Sequence, residues 1–417
     1  MSAAYASPTL ERVVRGRLCS GCGLCASLGD AAVTMTMRPP GFARPVQSAP
    51  LTPDAERRIA LACPGSVVAP WRTDMAVDPL WGPYLAVHTG NATDPEVRHA
   101  GSSGGVLSAL AIHALDTGIA DRVVHVAMDE AAPTLNRLQR SLTPAQVIEA
   151  AGSRYAPASP LASIVAEVER GGRFVFIGKP CDVGALRQLA KLDPRIDAAV
   201  PLMLSFFCAG TPSQAGTDRV LAHLGADKTR LTSFRYRGDG WPGYATATET
   251  DGRMTRMSYA ASWGDILSKE VQFRCKICPD AVGGVADIAC ADAWYGDASG
   301  YPSFDEAEGR SLVMVRSDAG AALLAAATIA GSILTQPLAI GEIIKMQPHQ
   351  ARRKRLVASR LAAATATFQP RPVVTGLAVG TAARQARPAE QLKSFLGAAR
   401  RIVRQLAADR TVAEASN

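Results

Sequence analysis

The chain has 417 residues, 47% hydrophobic and 20% charged, the composition of a globular protein of two or three domains rather than a disordered, fibrous or membrane-spanning one. Its start, MSAAYASPTLERVV, lacks a secretory apolar run, and no window reaches the roughly 18 apolar residues of a spanning helix, so the expected location is the cytoplasm. The net charge of +8 sits in the tail: residues 345–417 hold 14 Lys/Arg against 3 Asp/Glu, leaving 31 against 34 before them.

Nine cysteines in a chain with no export signal point to metal binding or redox work rather than disulfides, because the cytosol keeps thiols reduced. The first segment, 1–75, carries four of them. In CSGCGLC, Cys19, Cys22 and Cys25 lie on a tight turn able to wrap three irons of a cubane, with the remote Cys63-Pro64-Gly65 supplying a fourth ligand. Gly21 and Gly23 suit the looping backbone and leave N–H groups to face the sulfurs. A structural zinc site is the alternative, since four thiolates also satisfy zinc. AAVTMTM and then PPGFARPVQ read as a strand, a turn and an extended return.

From about Tyr84 the pattern becomes α/β. YLAVHTG is a strand, GGVLSALAIHALDTG a helix closed by Gly118, and RVVHVAM a strand. Before that helix stand Ser102, Ser103, Gly104 and Gly105, a turn that lets N–H groups and hydroxyls approach a phosphate at the positive helix end; a plain capped glycine turn is the alternative. Gly152, Ser153 and Tyr155 form a second Gly-Ser element with a ring. RFVFI then ends in GKPCDV and runs into the helix ALRQLAKL, and PLMLSFF ends in CAGTPS and runs into QAGTDRVLAHLG. Such units predict a parallel sheet with functional groups at the carboxyl ends of its strands, where Cys181 and Cys208 fall. YATATET and RMTRMSY form a hairpin at Asp251-Gly252. CKIC supplies Cys275 and Cys278. Cys181, Cys208, Cys275 and Cys278 read either as a second four-cysteine site or as buried free thiols, and Cys290, in ADIAC, reads as core.

Beyond Gln347, QARRKRLVASRLAAAT is a basic helix. After a linker, a final amphipathic helix spans about Ala389 to Asp409, with Leu392, Phe395, Leu396, Ala399, Ile402, Val403 and Leu406 at three- and four-residue steps. Its apolar face either docks on the body or makes peripheral membrane contact. No aromatic residues interleave with its basic ones, so specific nucleic-acid binding is not expected.

Taken in order, CSGCGLC with CPG, SSGGVLSAL, GSRYAP, FIGKPCDVGALR, FFCAGTPS and CKICPDAVGGVADIACADAW, this set resembles the coenzyme F420 hydrogenase and dehydrogenase beta subunits, from about Leu18 to Asp297. The resemblance implies an iron–sulfur flavoprotein oxidoreductase with two 4Fe-4S clusters and FAD in a non-Rossmann fold. Its donor would be ferredoxin or a partner oxidoreductase subunit, and it would act on a small-molecule substrate. By position it assigns Ser102, Ser103, Gly104, Gly105, Gly152, Ser153 and Tyr155 to the flavin, and Cys181, Cys208, Cys275 and Cys278 to the second cluster. Lys179 and His99 are the candidate catalytic groups, against a surface lysine and a helix-entry histidine. Ala291 departs from the family, which usually has glycine there. The expected fold class is α+β/α/β. It comprises a small ferredoxin-like 4Fe-4S module (1–75), a flavin-associated region (80–165), a domain holding the second cluster (166–335) and a helical basic tail (336–417). Two alternatives stay open: an electron-transfer subunit with no substrate of its own, and an interaction protein with structural zinc.

Overall fold

Short apolar runs bounded by Gly and Pro dominate the middle of the chain, the pattern of strands buried on both faces. The computed structural model describes residues 7–297 and 301–414. Its strands of five residues or more are β1 (Val33–Arg38), β2 (Phe42–Gln47), β3 (Ala86–Ala92), β4 (Arg122–Met128), β5 (Asn136–Ser141), β6 (Phe174–Gly178), β7 (Leu202–Phe206), β8 (Leu231–Arg235), β9 (Tyr244–Glu249), β10 (Met254–Ser258), β11 (Ile288–Asp292), β12 (Ser311–Val315) and β13 (Ile333–Pro337).

One mixed eight-stranded sheet runs β13-β3-β12-β11-β7-β6-β4-β5. Its parallel heart is β11, β7, β6 and β4, where Leu204 of β7 registers with Ile177 on one side and Ile288 on the other. The flanking strands pair antiparallel, which the expectation of a parallel sheet did not include. Ala291 lies in regular pairing with Leu312, so alanine serves there without a special backbone conformation.

Alternation along the strands sends side chains to two cores. Val123 and Val175 face the helices Val106–Asp116 and Asp318–Ile329, meeting Leu110, Leu323 and Leu324. Val124, Phe174 and Phe176 face the helix Pro180–Ala190, meeting Val183, Leu186 and Leu189. That helix begins at Pro180, just after Lys179, so Cys181 occupies its first turn instead of the preceding loop. Proline is preorganised for this position, and the Asp182 carboxylate accepts from the Lys179 N–H at 3.0 Å. A separate three-stranded sheet holds β8, β9 and β10, with the β9–β10 turn at Asp251-Gly252 as expected.

The amino-terminal segment is fastened to this body. Gly21 and Gly23 both have left-handed φ, and a Cβ on Gly23 would stand 2.8 Å from the Ala162 nitrogen. The loop between Cys19 and Cys25 is pinned by the Leu161 N–H to the Cys22 carbonyl (2.9 Å) and the Ser159 hydroxyl to the Gly21 carbonyl (2.9 Å). The tail joins the same region. Val373–Val374 pairs with Val67–Val68, and Val357, Leu361, Ala364 and Ile402 share one cluster with Val13, Leu18, Cys19, Phe273 and Ile277. The final helix, Pro388–Glu414, therefore buries Ala398 and Ile402 while Leu392, Leu396 and Val403 remain 59%, 55% and 56% exposed. Its apolar face is only partly docked on the body. No helix among the described residues is long and apolar enough to cross a membrane.

Candidate functional site

All nine cysteines carry free thiols. Cys19, Cys22 and Cys25 are buried and Cys63 half-buried, near enough that their charges act on one another. Burial first, then the charge of Cys63, raises Cys22; burial and then Cys19 raise Cys25; burial and then Cys19 raise Cys63 to about 11. Backbone N–H groups offset part of this: those of Gly21 and Gly65 point at the sulfurs of Cys19 and Cys63, each at 3.4 Å. Thiolates crowded in a dry site need a compensating cation.

The second set also assembles, from three distant parts of the chain. Cys181 follows β6, Cys208 follows β7, and Cys275 and Cys278 come from a short helical turn and its exit. Burial and then Asp182 push Cys181 up, with Lys179 opposing; burial and then Cys275 raise Cys208 to about 12, with Arg353 opposing. The N–H of Thr211 reaches the Cys275 sulfur at 3.4 Å and the Gln272 amide reaches it at 3.5 Å. Eight unbridged thiols in two fours, met by N–H donors, fit the donor set of two iron–sulfur clusters. Among the described residues, no three His, Cys, Asp or Glu side chains converge as on a single metal ion.

Two buried side chains bridge the sets. Gln272 donates to the Ser20 carbonyl at 3.2 Å as well as to Cys275. Arg274 donates to the Pro64 carbonyl at 2.8 and 3.2 Å, and its charge acts on Cys63 as well as Cys181, Cys275 and Cys278.

Alongside, at the carboxyl end of β11, the glycine–serine elements meet. The Ser102 and Ser153 hydroxyls are 2.6 Å apart. Ser103 donates to the carbonyls of Ala291 (3.1 Å) and Arg310 (3.0 Å). Gly104 is pressed between strands: a Cβ there would stand 2.6 Å from the Ser311 nitrogen and 2.7 Å from the Gly90 oxygen. Gly152 is equally confined, its Cβ position 2.7 Å from the Arg237 oxygen, and Ser153 bonds Arg237 backbone to backbone. Tyr155 packs inward against Trp263 and Tyr236, with ring centroids 4.7 and 6.2 Å away.

The residues that complete this corner, apart from Asp292 and Trp294, lie outside the motifs quoted from the sequence. Arg237 donates twice to Asp292, at 2.7 and 2.9 Å, and its guanidinium lies over the rings of Tyr259 and Trp294. The Trp241 indole also donates to Asp292, at 2.8 Å, and stacks on Trp294. Burial lowers Arg237, but the Asp292 charge outweighs it and the group is held protonated. ADAW ends the last of the motifs that carry the resemblance, whereas YRGDGW belongs to none of them, and only folding joins the two. A cleft of about 90 Å³ lined by Gly240, Trp241, Tyr259 and Phe304 opens on this stack, well below the several hundred Å³ of a dinucleotide pocket.

His99 lies beside this cleft: its carbonyl accepts from the Gly240 N–H at 3.0 Å, and its ring approaches Gly240. Lys179 lies at the second cysteine set instead. It donates to Asp182 at 2.7 Å; burial lowers it, but Asp182 and Cys181 outweigh that and keep it charged. Cys290 is core, packed with Leu204 and Val313 and raised to about 12 by burial.

Residues 87–166 match the family model for the amino-terminal part of the coenzyme F420 hydrogenase/dehydrogenase beta chain, and residues 171–340 match the model for its carboxyl-terminal part. Two curated relatives are similar, each a coenzyme F420 hydrogenase subunit beta. That of Methanococcus voltae is 25% identical over 280 residues, 61% of this chain and 85% of the relative. That of Methanosarcina barkeri is 25% identical over 272 residues, 63% and 86%. A chain from the solved F420-reducing [NiFe] hydrogenase complex of Methanosarcina barkeri shares the fold with a TM-score of 0.54 at 21% identity, covering 72% of this chain and 98% of that one.

Proposed function

Because the chain belongs to the coenzyme F420 hydrogenase/dehydrogenase beta subunit family, an electron-transferring oxidoreductase family, we propose that it is an iron–sulfur flavoprotein passing electrons between an external donor and a small-molecule substrate. Cys19, Cys22, Cys25 and Cys63 would hold one 4Fe-4S cluster, and Cys181, Cys208, Cys275 and Cys278 a second. Ser102, Ser103, Gly104, Gly105, Gly152 and Ser153, with Tyr155 behind them, would border FAD, whose binding requires the cleft of about 90 Å³ at this corner to widen. When bound, the clusters supply one-electron transfer and the flavin its exchange for two-electron or hydride chemistry.

One observation carries this reading. Cys181, Cys208 and Asp292 follow or end three adjacent parallel strands, with Phe206 registered against Cys290, so the second cysteine set and the serine–glycine corner share one sheet edge. Gln272 and Arg274 tie the first set to the second, giving a continuous covalent and hydrogen-bonded route. Lys179 and Arg274 bring positive charge to the sulfurs, while the Arg237–Asp292 pair orders the flavin corner. His99, beside Gly240, would exchange a proton with the substrate. A deazaflavin of the kind named in the relatives is the first substrate to test.

The test is anaerobic purification followed by iron, sulfide, zinc and flavin analysis and by turnover of coenzyme F420 with reduced ferredoxin. About eight iron per chain with one flavin supports the reading; zinc in place of iron, or an absent flavin spectrum with clusters intact, refutes it. A second reading, an electron-transfer subunit with no substrate of its own, is favoured by the exposed stripe Leu392, Leu396 and Val403 beside Lys393 and Arg400. Clusters and flavin without turnover, and turnover restored by a partner subunit, would establish it. Binding of that stripe to anionic vesicles instead would assign it to peripheral membrane contact.

A further inference from the structure

The basic helix Pro348–Ala366 lies beyond the matched family region, which ends at residue 340. It lies across the second cysteine set. Arg353 donates to the Cys208 carbonyl at 3.0 Å and also to the Cys275 carbonyl. Lys354 donates to the Pro279 carbonyl at 2.7 Å, and Arg360 to the Lys276 carbonyl at 2.9 Å. These acceptors are Cys208 and Cys275 themselves and the residues flanking Cys275 and Cys278. Arg353 and Arg360 are seven residues apart and so share one helical face. On and around it, Leu356, Val357, Leu361 and Ala364 are buried, and Val357, Leu361 and Ala364 pack with Phe273 and Ile277 of the cysteine turn. Arg352 is 63% exposed and pairs with Glu390 at 4.0 Å.

Lys354 is itself buried, and burial lowers its pKa, with the nearby negative charges opposing. Around it stand Asp280, Cys278 and Asp78, with Arg316 as an opposing cation. A cubane on four thiolates is an anion and becomes more negative on reduction, so fixed cations close to it stabilise the reduced form and raise its potential. Arg353, Lys354 and Arg360 thus hold four backbone carbonyls of the two segments that carry Cys208, Cys275 and Cys278.

We propose that this helix is an electrostatic cover of the second cluster, with Arg353 as its principal positioning residue: it raises the cluster's reduction potential and closes that face to solvent. The inference rests on the assignment of a cluster to Cys181, Cys208, Cys275 and Cys278.

The experiment is a dithionite titration of the full chain, with its clusters, followed by electron paramagnetic resonance; dithionite supplies the single electron and no proton need move. Cys278→Ser identifies the signal of the second cluster. In Arg353→Gln that signal should fall about tenfold in its reduced-to-oxidised ratio at fixed potential, about 59 mV more negative for a one-electron couple. Arg353→Lys should fall between, and Arg352→Gln should match the parent. Arg360→Gln offers a second route if Arg353→Gln does not fold. A second-cluster midpoint unmoved in Arg353→Gln and Arg360→Gln, with full iron content, overturns the cover while leaving the cluster assignment intact. About four iron per chain in the parent, with no signal dependent on Cys278, overturns both.

Discussion

Asp292→Asn tests the electrostatics of the serine–glycine corner most directly, because the change keeps the shape and removes only the charge. Arg237 and Asp292 side chains are 3% and 16% exposed, joined by two hydrogen bonds of 2.7 and 2.9 Å. The other donation of Arg237, to the Pro242 carbonyl at 2.6 Å, is to a neutral group, and the faces of Tyr259 and Trp294 return only a weak attraction. Removing the carboxylate charge therefore leaves a buried cation without its counter-ion, a loss of about 3–5 kcal/mol. Arg237→Met should cost less, because Asp292 is nearer solvent and keeps the Trp241 N–H. Replacing both charges with apolar groups should cost less than the sum, since a buried pair recovers little of its own desolvation. Urea unfolding followed by tryptophan fluorescence reads this corner through Trp241 and Trp294, and flavin retention on gel filtration reads its function. A loss for Asp292→Asn below about 1 kcal/mol, the range of exposed pairs, would refute the reasoning.

Gly104→Ala should abolish flavin retention and lower the yield of folded protein, because its Cβ meets backbone atoms at 2.6 and 2.7 Å; Gly118→Ala, with nothing within 4 Å, should show only the milder cost of a left-handed φ, read by thermal unfolding. Cys63→Ser should leave about four of eight iron and spare the second cluster's signal, as measured by iron assay and electron paramagnetic resonance. His125 is buried and bonded to Ser141 at 2.8 Å, with its pKa lowered to about 4 by burial and then by Arg137. The unfolded chain, titrating near 6.5, binds the proton first, so this contribution is complete above about pH 6.5 and is lost as pH falls toward 4, by up to about 3 kcal/mol. His125→Asn should flatten the decline in melting temperature over that window; an unchanged decline would count against it.

What the sequence determined by itself is local. The turns of CSGCGLC and the start of the helix after β6 follow from residues within a few positions, left-handed Gly21 and Gly23 and Pro180 at the helix start, and the apolar runs of β6 and β7 are of strand length. The order of those motifs was also enough to indicate the family. Tertiary structure alone decided what meets what. Cys275, in a separate helical turn, comes near enough to Cys208 for their charges to interact, Arg237 joins Asp292 across 55 residues, and Gln272 reaches Ser20 across 252; charge pairs and hydrogen bonds at such separations leave no periodic trace. The tail shows the difference most plainly. Its basic charge, legible from composition as a stretch set apart from the body, goes in part to carbonyls around Cys208, Cys275 and Cys278. A cation's partner is fixed by packing, whereas its presence is all that a sequence records.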